Sequence, residues 1–289
     1  MDERAALELL SGRVTGAGDD CAVLDEWLLT TDMLHATTDF PAGTTRYTAG
    51  WRAVAASLSD VAAMGGAARA AVAVYAAPEL DEHELTAFVA GASDVCESVD
   101  AEYVGGDLDT HDEFTTATTV LGRADGPVLR SGAQVGEAVC VTGTLGRSAA
   151  ALELFEAGDI ARANELFRFD PRIAAGRAIG PHAGAMMDVS DGLARSLHQL
   201  AEASGCGMCV SGSLPVDGSV EAIAADPEES RELGVFFGED FELLFTVPET
   251  TLEAVREESP VAIARIGTVV ESGVTLDGET LPDRGYTHG

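Results

Sequence analysis

The sequence predicts an α+β protein of two domains, on three observations. Its 289 residues are enough for two ordinary domains, each with an apolar core. Stretches with strand-like and helix-like apolar spacing alternate along the chain, but imperfectly, which fits mixed sheets covered by helices better than a regular doubly wound sheet. A loop crowded with turn formers, Asp125 to Gly136, interrupts the alternation. The division is placed there, with residues 1–128 as the N-terminal domain and 129–289 as the C-terminal one.

In the N-terminal half, residues 5–10 are expected to form a short helix, followed by a Gly-rich turn at Gly16 to Asp20 and a strand at Cys21 to Leu24. Trp27 to Thr31 is a second apolar run, ending in Thr30, Thr31 and Asp32. From Thr45 to Met64, Trp51, Val54, Leu58 and Val61 recur at helical spacing, until Gly65 and Gly66 stop the helix. Ser59 and Asp60 fall near its C-terminal end, where an acid opposes the helix dipole and a bound cation would compensate. Ala68 to Ala76 reads as a buried strand and Asp81 to Val99 as an amphipathic helix. The short run Glu102 to Val104 then meets Gly105, Gly106 and Asp107, where two glycines let the backbone approach a ligand beside a carboxylate. Phe114 to Gly122 is a Thr-rich strand.

The C-terminal half opens with a strand at Ala138 to Thr142 and helices at 148–156, 159–168 and 171–179. The apolar run around Met186 then delivers Asp188, Ser190 and Asp191 onto a turn before a helix faced by Leu193, Leu197 and Leu200. Two acids beside the first unpaired N–H groups of a helix suit a metal carrying phosphates, and Ser190 or Asp191 would equally serve as a cap. Strands follow at 207–210, 243–247 and 261–270, an acidic helix at 250–258, and a terminal hairpin turning at Asp277 and Gly278.

Composition removes several functions. The formal net charge of −32 argues against a nucleic-acid partner. All 17 basic residues are Arg, so the P-loop lysine, the protein-kinase ATP lysine and Schiff-base chemistry are excluded together. The acid is spread along the whole chain, as expected of a surface tuned to high salt. No run of roughly 20 apolar residues is present to span a bilayer, and the N-terminus has no signal-peptide pattern, so a cytoplasmic location is expected. Five scattered cysteines do not make a disulfide framework, and Cys206 and Cys209 read as two half-buried thiols or a redox pair. The six histidines show no paired ligand spacing. What remains is a set of acids at element ends, Asp20, Asp32, Asp60, Asp107, Asp188 and Asp191, each beside Gly, Ser or Thr. Any one could be a cap or turn former; brought together they would repel one another unless cations were present, and hard oxygen ligands of this kind select Mg²⁺.

These residues carry a resemblance. G-D-D-C-A-V-L (18–24), T-T-D-M-L (30–34), L-S-D-V-A-A-M-G-G (58–66), G-G-D (105–107), L-R-S-G-A (129–133), V-T-G-T-L-G-R-S-A-A (141–150), M-D-V-S-D-G-L (187–193) and G-E-D-F-E-L-L-F (238–245) run in the order found in the thiamine-monophosphate kinase family. That family belongs to the aminoimidazole-ribotide-synthetase-like superfamily. The resemblance implies the two-domain fold of that superfamily, a homodimer formed through the N-terminal domains, and ATP-dependent phosphorylation of thiamine monophosphate to thiamine diphosphate. It implies several Mg²⁺ ions held by Asp20, Thr30, Thr31, Asp32, Asp60, Asp107, Asp188 and Asp191. Gly106, Asp107, Arg130 and Ser190 match nucleotide-binding positions; Glu239 and Tyr286 match positions that receive the thiamine part. No general base is implied, because the acceptor phosphate is already ionised and the transfer needs positioning and charge neutralisation.

The sequence departs from the family at one place. A His usually precedes the Phe of the second motif, but here Asp39 stands there and His35 lies upstream. Asp39 is either a contact for the cationic part of the substrate or a turn former before Pro41. The alternatives to a thiamine-phosphate kinase are another ATP-using enzyme of the superfamily, disfavoured by the absence of a reactive Cys or Lys near the N-terminus, and a metal- or nucleotide-binding protein without catalysis.

Overall fold

The structure, a computed structural model, describes residues 13, 14 and 18–285; the helix expected at 5–10 and Tyr286 lie outside the described residues. Thr45 starts the element on which both halves rest. Its hydroxyl accepts a hydrogen bond from Thr48 N at 3.2 Å and caps helix α1 (Arg46–Ala63). Alanines, Val54, Leu58 and Val61 leave that helix no polar face except near its ends, so it is buried nearly all round.

On one side α1 covers a five-stranded sheet. Its strands are β1 (Ala22–Leu24), β2 (Trp27–His35), β3 (Ala67–Ala77), β4 (Glu102–Thr110) and β5 (Thr115–Arg123), in the order β1-β2-β5-β3-β4. β3 and β4 are parallel because helix α2 (Glu82–Glu97) makes the crossover between them; the other pairs are antiparallel. Leu28, Ala71 and Val120 pack inward beneath α1. On the other face of the sheet Trp27, Leu29, Met33, Val72 and Val74 are exposed. One face is thus covered by helices, while the other presents apolar side chains to solvent.

The second sheet has the order β12-β11-β8-β10-β6-β9-β7, from β6 (Ala138–Thr142), β7 (Ala185–Asp188), β8 (Gly207–Val210), β9 (Leu243–Val247), β10 (Ile263–Val270), β11 (Val274–Leu276) and β12 (Glu279–Thr280). β6, β7 and β9 are buried at every residue, because helices cover both faces. The helices of this half are α3 (Arg147–Glu156), α4 (Ile160–Phe167), α5 (Ile173–Ile179), α6 (Leu193–Ser204), α7 (Gly218–Glu221), α8 (Pro227–Phe236) and α9 (Leu252–Glu258). α6 packs Leu193, Leu197 and Leu200 onto Met187, Val141 and Leu244, while α5 and α9 sit on the opposite face with Cys140, Met186 and Phe245. That second layer also contains Val54, Leu58 and Met64, so one apolar core joins the two sheets through α1. The close fit needs Gly176 on α5, where an added Cβ would lie 2.1 Å from Ala62 O.

The elements expected from the sequence are present among the described residues, with three differences. β2 runs on to His35, and β4 to Thr110. Helices α7 and α8 lie between β8 and β9, where no element was expected; Asp226 caps α8 by accepting from Glu228 N and Glu229 N, with Pro227 in the first turn.

Candidate active site

Three carboxylates meet between the sheets. Asp20 comes from the turn before β1, Asp60 from the last turn of α1 and Asp188 from the C-terminal end of β7; one oxygen from each lies within 4.8 Å of the others. Neighbours hold them in place. Thr30 Oγ1 donates to Asp60 Oδ2 at 2.5 Å, Ser59 Oγ to Asp188 Oδ2 at 2.7 Å, and Arg130 grips Asp20 through Nη2 at 2.6 Å and Nε at 3.3 Å. Burial, then the charges of Asp188 and Asp20, raise the Asp60 pKa well above the carboxylate range, against the Thr30 hydroxyl, which lowers it. For Asp188, burial and then Asp20 push the pKa up to about 7. Protein alone therefore disfavours full ionisation of this group, and a cation would reverse the preference. Cys21 lies buried beside it with its thiol pKa raised by burial and by Asp60, so it stays a neutral thiol.

The acids open onto a cavity of about 240 Å³. Asp20, Thr30, Thr31, Asp32, Asp39, Asp60, Asp188, Ser190, Asp191 and Glu239 all line it. Arg130 stands behind Asp20. The D-V-S-D turn is interlocked with the loop 238–242: Val189 N donates to Glu242 O at 2.8 Å, Phe241 N to Val189 O at 2.9 Å and Glu239 N to Ser190 O at 2.5 Å. Gly238 has φ +87, and a Cβ there would lie 2.7 Å from Ser190 O, so only glycine admits this contact.

Gly106 and Asp107 are not brought to this cavity by their own chain. They sit on β4, at the far edge of the first sheet, with Gly106 in one row with Ala73, Thr118 and Asp32. Three strand spacings, roughly 14 Å, separate that row's ends. Asp39 serves as a turn former: its Oδ2 accepts from His35 N at 2.7 Å and Thr38 Oγ1 at 2.8 Å, and its N–H bonds His35 O at 2.9 Å. It also faces the cavity, so the two sequence readings are compatible. Cys206 and Cys209 are free, half-buried thiols.

A second cleft, of about 590 Å³, adjoins the first and shares Asp39 and Glu239 with it. Phe40, Phe155, Phe167 and Phe237 line it. One site residue escaped the sequence reading altogether. Arg52 on α1 lines the acid cavity yet is only 2% exposed, and its Nη2 binds Glu239 Oε2. A lone Arg in the apolar stretch W-R-A-V-A-A-S-L was the available signal. The combination of clustered hard oxygen donors and an adjoining aromatic cleft suits an ion-carrying polyphosphate meeting an organic phosphate.

Comparison with known proteins agrees with that geometry. Residues 18–124 match the model of the AIR synthase related protein N-terminal domain, and residues 134–278 that of its C-terminal domain. The chain is 61% identical to a thiamine-monophosphate kinase of Halobacterium salinarum, over all of both sequences. It belongs to the thiamine-monophosphate kinase family. The Escherichia coli thiamine-monophosphate kinase is 32% identical over 94% of this chain and 91% of its own. A solved structure of AaThiL complexed with AMPPCP and TMP superposes with a TM-score of 0.90, at 30% identity, covering 100% of this chain and 97% of that one. The expected two-domain α+β architecture of this kinase family is therefore the fold observed.

Proposed function

We propose that this chain transfers the γ-phosphoryl group of ATP to the phosphate of thiamine monophosphate, giving thiamine diphosphate. The observation that carries the reading is the junction of the acid cavity with the aromatic cleft at Asp39 and Glu239. Phosphates belong on the acid side and the organic rings on the aromatic side, so the acceptor phosphate lies where the two meet.

The donor set fits Mg²⁺: carboxylates and hydroxyls only, with Asp60 and Asp188 disfavoured as anions when no cation is near. Asp20, Thr30, Thr31, Asp32, Asp60, Asp188 and Asp191 would hold the ions. Bound Mg²⁺ supplies charge neutralisation to the polyphosphate and to the group in transfer. The chain's residues do the positioning. Ser190 and the turn before α6 offer hydrogen-bond donors to phosphate oxygens, and Arg130 offers a guanidinium beside Asp20. No side chain needs to remove a proton, since a phosphate monoester is largely dianionic near neutral pH.

A homodimer belongs to the same reading. Among the described residues β1 pairs with β2 only as far as Leu29, leaving one edge of β2 open from Thr30 onward, and the outer edge of β4 is open as well. A second copy laid on the exposed apolar face covers Trp27, Leu29, Met33, Val72 and Val74. It also gives Gly106 and Asp107 a route to the nucleotide and metal beside Thr31 and Asp32 of the facing copy. Residues 1–128 form the dimerising part and residues 129–289 complete the site; Tyr286 joins Glu239 on the thiamine side. The formal charge of −32 supports a protein working in concentrated salt. A cytoplasmic setting fits a described chain with no helix long and apolar enough to cross a membrane.

The test is direct. Purified protein in concentrated salt, given ATP, Mg²⁺ and thiamine monophosphate, is expected to form thiamine diphosphate and ADP. A folded sample that forms neither would overturn the reading.

A further inference from the structure

Arg52 is a cation in the site that the phosphate chemistry above leaves unused. It enters from α1, in the half built on the first sheet, and ends inside the other half. There Nη1 donates to Phe167 O at 2.6 Å, and Nη2 reaches Ser148 Oγ at 3.3 Å, Glu239 O at 3.4 Å and Glu239 Oε2. The guanidinium carbon lies 3.7 Å from the Phe167 ring centre, with Phe169 and Phe241 at 5.4 and 5.5 Å. A buried cation with this many fixed partners has one orientation.

Glu239 is the opposite case. Its side chain keeps 25% of its exposure, at the junction of the two cavities, and its backbone sits at φ +60, a left-handed conformation unusual for a non-glycine residue. That peptide is clamped on both sides. Its N–H donates to Ser190 O at 2.5 Å, while its carbonyl accepts from Ser148 Oγ at 2.5 Å and from Arg52. Without the buried guanidinium, the carboxylate has no partner on the inner side and is free to swing into either cavity or out to solvent.

We infer that Arg52 is a positioning residue for acceptor recognition: it fixes Glu239 at the junction between the acid cavity and the aromatic cleft, so that a cationic organic phosphate is bound in register with the phosphoryl donor. The inference rests on the functional reading above. Arg52 acts through Glu239, and α1, which also carries Asp60, ties the acceptor carboxylate to the same rigid element as a metal ligand.

Steady-state kinetics of wild type, Arg52→Met, Arg52→Lys, Glu239→Gln and the double variants test this. Arg52→Met is expected to raise KM for thiamine monophosphate by about tenfold or more, with KM for ATP changed by less than about twofold. Arg52→Lys keeps the buried charge but not the fork, and should fall between Met and wild type. In the Glu239→Gln background the Arg52 substitutions should add less than about twofold to the acceptor KM, because their route of action is already gone. The Lys variant runs through the same cycle, so the result does not depend on the Met variant folding. Equal rises in both KM values, or effects of Arg52 and Glu239 that multiply, would show Arg52 to be a general structural residue and overturn the inference. Wild type that makes thiamine diphosphate while these ratios stay flat removes only the role of Arg52; wild type that makes none removes the functional reading and this inference with it.

Discussion

Ser59 Oγ donates to Asp188 Oδ2 across 2.7 Å, one residue before Asp60 on the same turn of α1. A single helical turn thus supplies one carboxylate to the cluster and orients another that arrives from β7. Removing either acid should separate two effects that wild type combines. Asp60→Asn and Asp188→Asn are expected to cut turnover by roughly a hundredfold or more, since each removes a charge that would bind metal. The same variants should melt at a higher temperature than wild type in Mg²⁺-free buffer above about pH 7, where a buried acid must either ionise or hold its proton at a cost that the amide does not carry. Scanning calorimetry with and without Mg²⁺, beside an activity assay, checks both; variants that lose activity and gain nothing in the metal-free melt contradict this account of the cluster.

The pH dependence follows from the same acids. Asp188 has a folded pKa pushed up to about 7 from 3.8, chiefly by burial, and Asp60 is shifted in the same direction. The folded chain therefore holds protons that the unfolded chain has released, and this contribution to stability, complete below pH 3.8, is lost as pH rises toward about 7. Metal-free protein should lose stability across that window relative to the Asp188→Asn variant. Saturating Mg²⁺ should reverse the difference, because it binds and stabilises the ionised cluster that the variant has lost in part. Urea titrations at several pH values, with EDTA or Mg²⁺, read it out.

The open sheet face gives a third expectation. Val74, 41% exposed, lies in the middle of that face, two strands from Met33. Val74→Arg should convert a dimer to monomer in sedimentation velocity and lower activity in proportion, without changing the far-ultraviolet circular dichroism. A monomeric wild type would remove the dimer from the functional reading, and an arginine variant that still dimerises would place the interface elsewhere.

Salt supplies a fourth. With 49 acidic and 17 basic residues, self-repulsion opposes the folded state in dilute buffer and is screened over about 3 Å at 1 M salt. The midpoint of thermal unfolding should rise steeply from low to molar KCl, and by much less for a family member of near-neutral charge. A flat salt dependence would remove the halophilic reading.

Much of this site was legible in the sequence because its chemistry is built from residues that also mark element ends. Asp20, Asp60, Asp188 and Asp191 each sit beside the start or end of a strand or helix, where turn formers announce the place, while Asp32 lies inside β2 and is marked only by the end of the apolar run before it. What the sequence left open was long-range. Nothing local says that β4 lies at the sheet edge away from β2, which removes Gly106 and Asp107 from the cavity of their own chain. β4 itself was read too short, since an exposed edge strand with Asp107 and Asp109 lacks apolar alternation. Arg52 was passed over because its partners, Phe167, Ser148 and Glu239, are contributed by distant segments, and helical periodicity treats an Arg in an apolar stretch as an exception to be tolerated.

The burial of α1 by both halves bears on how the protein works as well as on how it folds. One apolar core packs that helix against both sheets, so parting the halves would expose that core to water. Asp20, Asp60 and Asp188 are gathered by folding itself, and each is held by a neighbouring side chain before any substrate arrives. The barrier to the reaction then carries little of the cost of gathering the site, and the substrates are left with the simpler task of finding a vessel whose walls already stand.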